Sequence, residues 1–92
     1  MLSKKTKYGL KALTYIARNK GDVPVQVAVI AKSEQIPQKF LEGILLTLRK
    51  SGILGSKKGK HGGYYLREEP SEIKMTDVMR EVFGLYREPL HI

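Results

Sequence analysis

The chain has 92 residues, 41% of them hydrophobic, and a formal net charge of +8 from 17 Lys and Arg against 9 Asp and Glu. That length suffices for one small core but not for a second domain, and the excess of positive charge implies an anionic partner. The absence of cysteine excludes a disulfide, a thiolate zinc site and a cysteine nucleophile.

Charge is segregated along the chain. Residues 1–21 carry Lys4, Lys5, Lys7, Lys11, Arg18 and Lys20 without an acid, and residues 49–67 carry Arg49, Lys50, Lys57, Lys58, Lys60 and Arg67 in the same way. Acids collect later, at Glu68, Glu69, Glu72, Asp77, Glu81 and Glu88. One basic face and one mixed face are expected. Lys11 and Thr14 interrupt the first apolar positions, so neither a signal-peptide core nor a membrane span is expected, and the cytoplasm is the expected location.

The first element runs from about Ser3 to Arg18, with Ser3 placed as an N-cap. Tyr8, Ala12, Leu13, Tyr15 and Ile16 recur at helical spacing, which leaves most lysines outside. Residues 19–22 break this helix, and Val23-Pro24-Val25 reads as a short extended piece. From Val25 to Lys32 the pattern is ambiguous, because Val25, Val27, Val29 and Ile30 are β-branched and partly alternate. The polar interruption at residues 33–36 is followed by Pro37, which suits the first turn of a new helix. Two short helices joined in this way make a helix-turn-helix, with Ile30 and Ile36 as core contacts between them.

The next helix is expected from about Pro37 to Lys50, punctuated by Gly52. Phe40, Leu41, Ile44, Leu45 and Leu48 form its apolar stripe, while Lys39, Glu42, Gly43, Leu46 and Lys50 point the other way. A helix in this position presents its early residues to base edges in the major groove. Gln38 and Lys39 are the natural readers of adenine and guanine edges. Glu42 could accept from a cytosine amine or serve as an i to i+4 partner for neighbouring bases. For Leu46 the alternatives are contact with a thymine methyl and packing against another element.

Residues 53–56 and 63–66 read as two strands around the loop Lys57-Lys58-Gly59-Lys60-His61-Gly62. Glycine supplies the torsions of a tight turn, and Lys57, Lys58 and Lys60 supply charge aimed at phosphate or the minor groove. Taken alone, the same loop reads as a solvated surface turn. In the order helix, helix, helix, hairpin, it reads as the wing of a mainly α winged helix-turn-helix fold with a small β-hairpin. One further helix is expected over Met75–Phe83, capped by Thr76, which places the DNA-binding domain at residues 1–84 and a short tail at 85–92.

Four stretches in this order resemble the Rrf-two family of bacterial transcriptional regulators. They are Leu2-Ser3-Lys4 with Tyr8-Gly9-Leu10-Lys11-Ala12-Leu13, then residues 36–42, residues 48–54 and residues 56–64; residues 73–84 look like the segment after the wing. The resemblance implies a repressor or activator, with repression the expected mode, that binds double-stranded DNA at a palindromic operator as a dimer. Carried over by position, Gln38, Lys39 and Glu42 match the recognition-helix readers and Lys58 the wing residue that enters the minor groove. Lys4, Lys5, Lys7 and Tyr8 match a phosphate-contacting helix start. Gly43 stands where relatives place a longer polar side chain, and His61 interrupts the family's glycine run at the wing tip, either as a solvated loop residue or as an added phosphate contact.

Family members continue with a cysteine-bearing loop that can hold an iron-sulfur cluster and a long dimer helix, and neither occurs in these 92 residues. No cofactor and no metal site are therefore expected, and a homodimer, weakened without that helix, stays open. The chain is read as either a short member or the DNA-binding portion of a longer one. An adaptor or RNA-binding winged helix is the alternative function. An enzyme is not expected, since the chain offers no close His and acid pair and no phosphate-binding glycine loop opening a helix.

Overall fold

Fifteen residues form the first helix, α1 (Lys4–Arg18), in the computed structural model, which describes residues 3–21 and 23–67. Ser3 caps α1 as its position predicts. Its hydroxyl accepts the Thr6 N–H at 3.1 Å and donates to Thr6 Oγ1 at 3.0 Å, so two otherwise orphaned polar groups are satisfied at the helix start. Thr6, Gly9, Ala12, Leu13 and Ile16 form the buried face of α1; Tyr8 and Tyr15 lie half-buried at its edges.

The ambiguous segment is a helix, α2 (Val27–Glu34). Its β-branched residues favour strands only weakly, and burial of Ile30 and Ala31 against the other helices outweighs that preference. Gln35 ends it in the left-handed conformation (φ 57°, ψ 47°), and the Ile36 N–H donates back to the Ala31 carbonyl at 3.0 Å. Ile36 is thereby turned into the core beside Ile30. The helix-turn-helix continues through Pro37, whose φ of −56° and ψ of 127° make it the N-cap of α3 (Gln38–Lys50).

Helix α3 packs against α1, α2 and the hairpin, and buries Leu41, Ile44, Leu45 and Leu48. Phe40 departs from the expected stripe: it is 39% exposed. At 100° per residue it stands about 90° from the centre of the four buried positions, so it falls at the stripe's margin. After Ser51, Gly52 takes φ 91° and the Ile53 N–H donates to the Leu48 carbonyl at 3.1 Å, repeating the closure that ends α2.

Strands β1 (Leu54–Lys57) and β2 (Gly63–Leu66) form the expected antiparallel hairpin, with Leu54 opposite Leu66 and Lys57 opposite Gly63. Leu54 and Leu66 join the core and anchor the base of the hairpin. The helix expected over Met75–Phe83 and the tail at 85–92 lie outside the described residues.

Candidate nucleic-acid interface

Three surfaces carry the residues picked out from the sequence. The first is the start of α1, where Lys4, Lys5 and Lys7 are exposed and no acid occupies the first turn. The positive end of the helix dipole adds to this charge, so the start of α1 favours anions. Tyr8 follows them, and its ring meets Phe40 edge to face at 5.5 Å between centroids and 79° between planes. This contact ties the start of α1 to the first turn of α3. It also accounts for the outward position of Phe40, whose ring covers Tyr8 in place of entering the core.

The second surface is the outward face of α3, where Gln38, Lys39, Glu42, Gly43 and Leu46 are all exposed. Gln38 Nε2 donates to Glu42 Oε2 at 3.4 Å, a long i to i+4 bond between two of the proposed readers. Glu42 therefore has a partner on its own helix at i to i+4 spacing, but that partner is an amide and not the basic side chain of the second sequence reading. A Cβ built at Gly43 would meet nothing within 4 Å, so the middle of this face is an open notch between Glu42 and Leu46. Leu46 is 38% exposed.

The third surface is the wing. Lys57 ends β1, and Lys58, Lys60 and His61 occupy the exposed tip. Gly59 (φ 108°) accepts the Gly62 N–H at 3.0 Å, and Gly62 leaves no space for a side chain, because a Cβ there would run into the Lys57 carbonyl. The extended piece at residues 23–25 is more than a linker. Val25 and Tyr64 exchange both backbone hydrogen bonds, each at 2.8 Å, so the entry to α2 acts as a one-residue third strand on the wing. Gln26 Nε2 adds a 3.3 Å bond to the Lys60 carbonyl.

The structure thus joins the α1 residues to α3 through Tyr8 and Phe40, and joins the wing to the start of α2 through Val25 and Gln26. Sequence reasoning missed these two links. The Tyr8 to Phe40 link had a signal in an aromatic on each helix, whereas the link to the wing had none in sequence; it shows only in the fold, where a side chain at Gly63 would strike the Val25 carbonyl.

Comparison with known proteins bears on this arrangement directly. The model of the Rrf2 family, described as an iron-dependent transcriptional regulator, matches residues 2–89. The chain belongs to the Rrf2 family. An rrf2-like HTH-type transcriptional regulator of Rhodobacter capsulatus is 37% identical over 87 residues, which are 91% of this chain and 58% of the relative. Among solved structures, CymR, the global cysteine regulator of B. subtilis, superposes with a TM-score of 0.86 at 32% identity, over 91% of this chain and 65% of that one. IscR of T. potens superposes with a TM-score of 0.81 at 36% identity, over 87% of this chain and 58% of that one. These likenesses show the winged helix fold. In each case this Rrf2 chain spans less than two thirds of its relative's length.

The 92 residues contain no cysteine, and among the described residues no three His, Asp or Glu side chains lie together. Among the described residues, likewise, no helix is long and apolar enough to cross a membrane.

Proposed function

We propose that this Rrf2 chain is a DNA-binding transcriptional regulator that sets α3 in the major groove and its wing against the adjacent backbone or minor groove, with repression as its mode. The observation that carries the reading is the exposed Gln38, Lys39 and Glu42 of α3, a helix packed against α1 and β1, which bear the basic residues. Gln38 and Lys39 read purine edges, and Glu42 either holds Gln38 or accepts from a cytosine amine. Lys4, Lys5, Lys7 and Tyr8 hold phosphates at the start of α1. Lys57, Lys58 and Lys60 do so from the wing.

Residues 1–84 carry this activity in the cytoplasm, with 85–92 as a tail, and the chain acts without catalysis. A homodimer on a palindromic operator completes the reading, because one such module makes a small interface whose affinity comes mostly from phosphates. Competition against a labelled duplex tests it. Unlabelled duplex DNA displaces the label at lower concentration than structured RNA of equal length; equal or better displacement by RNA would favour an RNA-binding winged helix.

A further inference from the structure

His61 is the one side chain of the wing tip that the reading above leaves idle. It lines, with Lys57, Lys58, Val23 and Pro24, a concavity of about 220 Å³ beneath the tip. Three of these five residues bear nitrogen donors, the other two form an aliphatic wall, and no acid is among them. The loop that carries His61 is fixed on both sides: the Gly62 N–H is bonded to the Gly59 carbonyl, and the Lys60 carbonyl accepts from Gln26.

We propose that this concavity is a seat for one backbone phosphodiester, in which His61 acts as a protonated ligand beside Lys57 and Lys58. The proposal rests on the duplex-DNA reading and assigns His61 a part in it. A neutral imidazole offers one N–H, whereas the imidazolium offers two and a positive charge. A phosphate in the seat favours the imidazolium, so the complex holds more protons than its separated parts. By linkage, affinity for duplex DNA rises as pH falls across the range in which histidine changes charge.

Among the described residues, the charged groups that line this seat are the ammonium groups of Lys57 and Lys58, with Lys60 preceding His61 in the loop. The wall at Val23 and Pro24 adds none. Asp22, next in sequence, lies outside the described residues.

The test is duplex affinity of the full chain at about pH 6 and about pH 8, at fixed ionic strength, spanning the histidine range. The wild type binds more tightly at the lower pH by about tenfold, the scale of one charge-assisted hydrogen bond. His61→Gln abolishes the difference, His61→Lys restores tight binding at the higher pH, and His91→Gln, at the only other histidine, keeps the wild-type profile. An unchanged pH dependence in His61→Gln would overturn the seat while leaving the DNA reading intact, as would a pH-independent wild type that still binds. No duplex binding by the wild type at either pH would sink the DNA reading itself.

Discussion

At residue scale, the ends of α2 and α3 solve the same problem with different side chains. Both helices close with an N–H donated back five residues, and both need a left-handed residue, which is Gln35 in one case and Gly52 in the other. Glycine adopts that conformation freely, while a residue with a Cβ incurs about 1 kcal/mol. Gln35→Gly is therefore expected to raise the midpoint of thermal unfolding by a few degrees, roughly, without changing DNA affinity. Gln38 and Lys58 differ in kind. Gln38→Ala, at the proposed base reader, is expected to relax sequence preference. Lys58→Ala, at the proposed phosphate contact, is expected to weaken binding to all duplexes and lower the salt slope by about 1. Binding titrations of both variants on two duplexes over a salt series separate these effects, and two variants that lost affinity in the same way would show that α3 is not the reading element.

At the scale of elements, the wing is held by a backbone exchange that glycine permits. Gly63 has φ 150°, and a Cβ on it would strike the Val25 carbonyl, so Gly63→Ala must break the Val25 to Tyr64 pairing or distort the hairpin. The expected cost is about 1–3 kcal/mol, borne by the wing. Circular dichroism should show the helices intact while duplex affinity falls and its salt dependence flattens; full affinity with the pairing lost would free the wing from its strap. This strap also marks where the sequence stops being legible. Periodicity and end signals located α1, α3 and both strands, because each follows from contacts within about one turn or one ladder. The helicity of α2 was legible only from the polar break and Pro37 that follow it and not from its own residues: burial of Ile30 and Ala31 decides it, and burial depends on the other helices. Phe40 deceived for a related reason, since a margin residue takes its side from a neighbouring element, here Tyr8 on α1. Among the candidate readers on α3, Lys39 and Glu42 follow from helical phase, while Gln38, which phase puts at the margin, follows from its early position and its amide. The links from Val25 and Gln26 to the wing could not, because they join residues more than thirty positions apart.

At the scale of the whole molecule, the charge of +8 and the folded arrangement support one account. The core fixes α3 against α1, α2 and β1, so that the reading face, the basic start of α1 and the wing belong to one packed unit. Charge draws the chain to any duplex, and α3 chooses among duplexes. The two contributions respond differently to salt, since phosphate contacts release counterions and base contacts do not. The most direct test is affinity for a duplex recovered by in vitro selection and for its scrambled counterpart, measured from low to high salt. The account predicts that both weaken steeply as salt rises while the selected duplex stays the tighter ligand throughout. Equal affinities for the two duplexes at every salt concentration would contradict it.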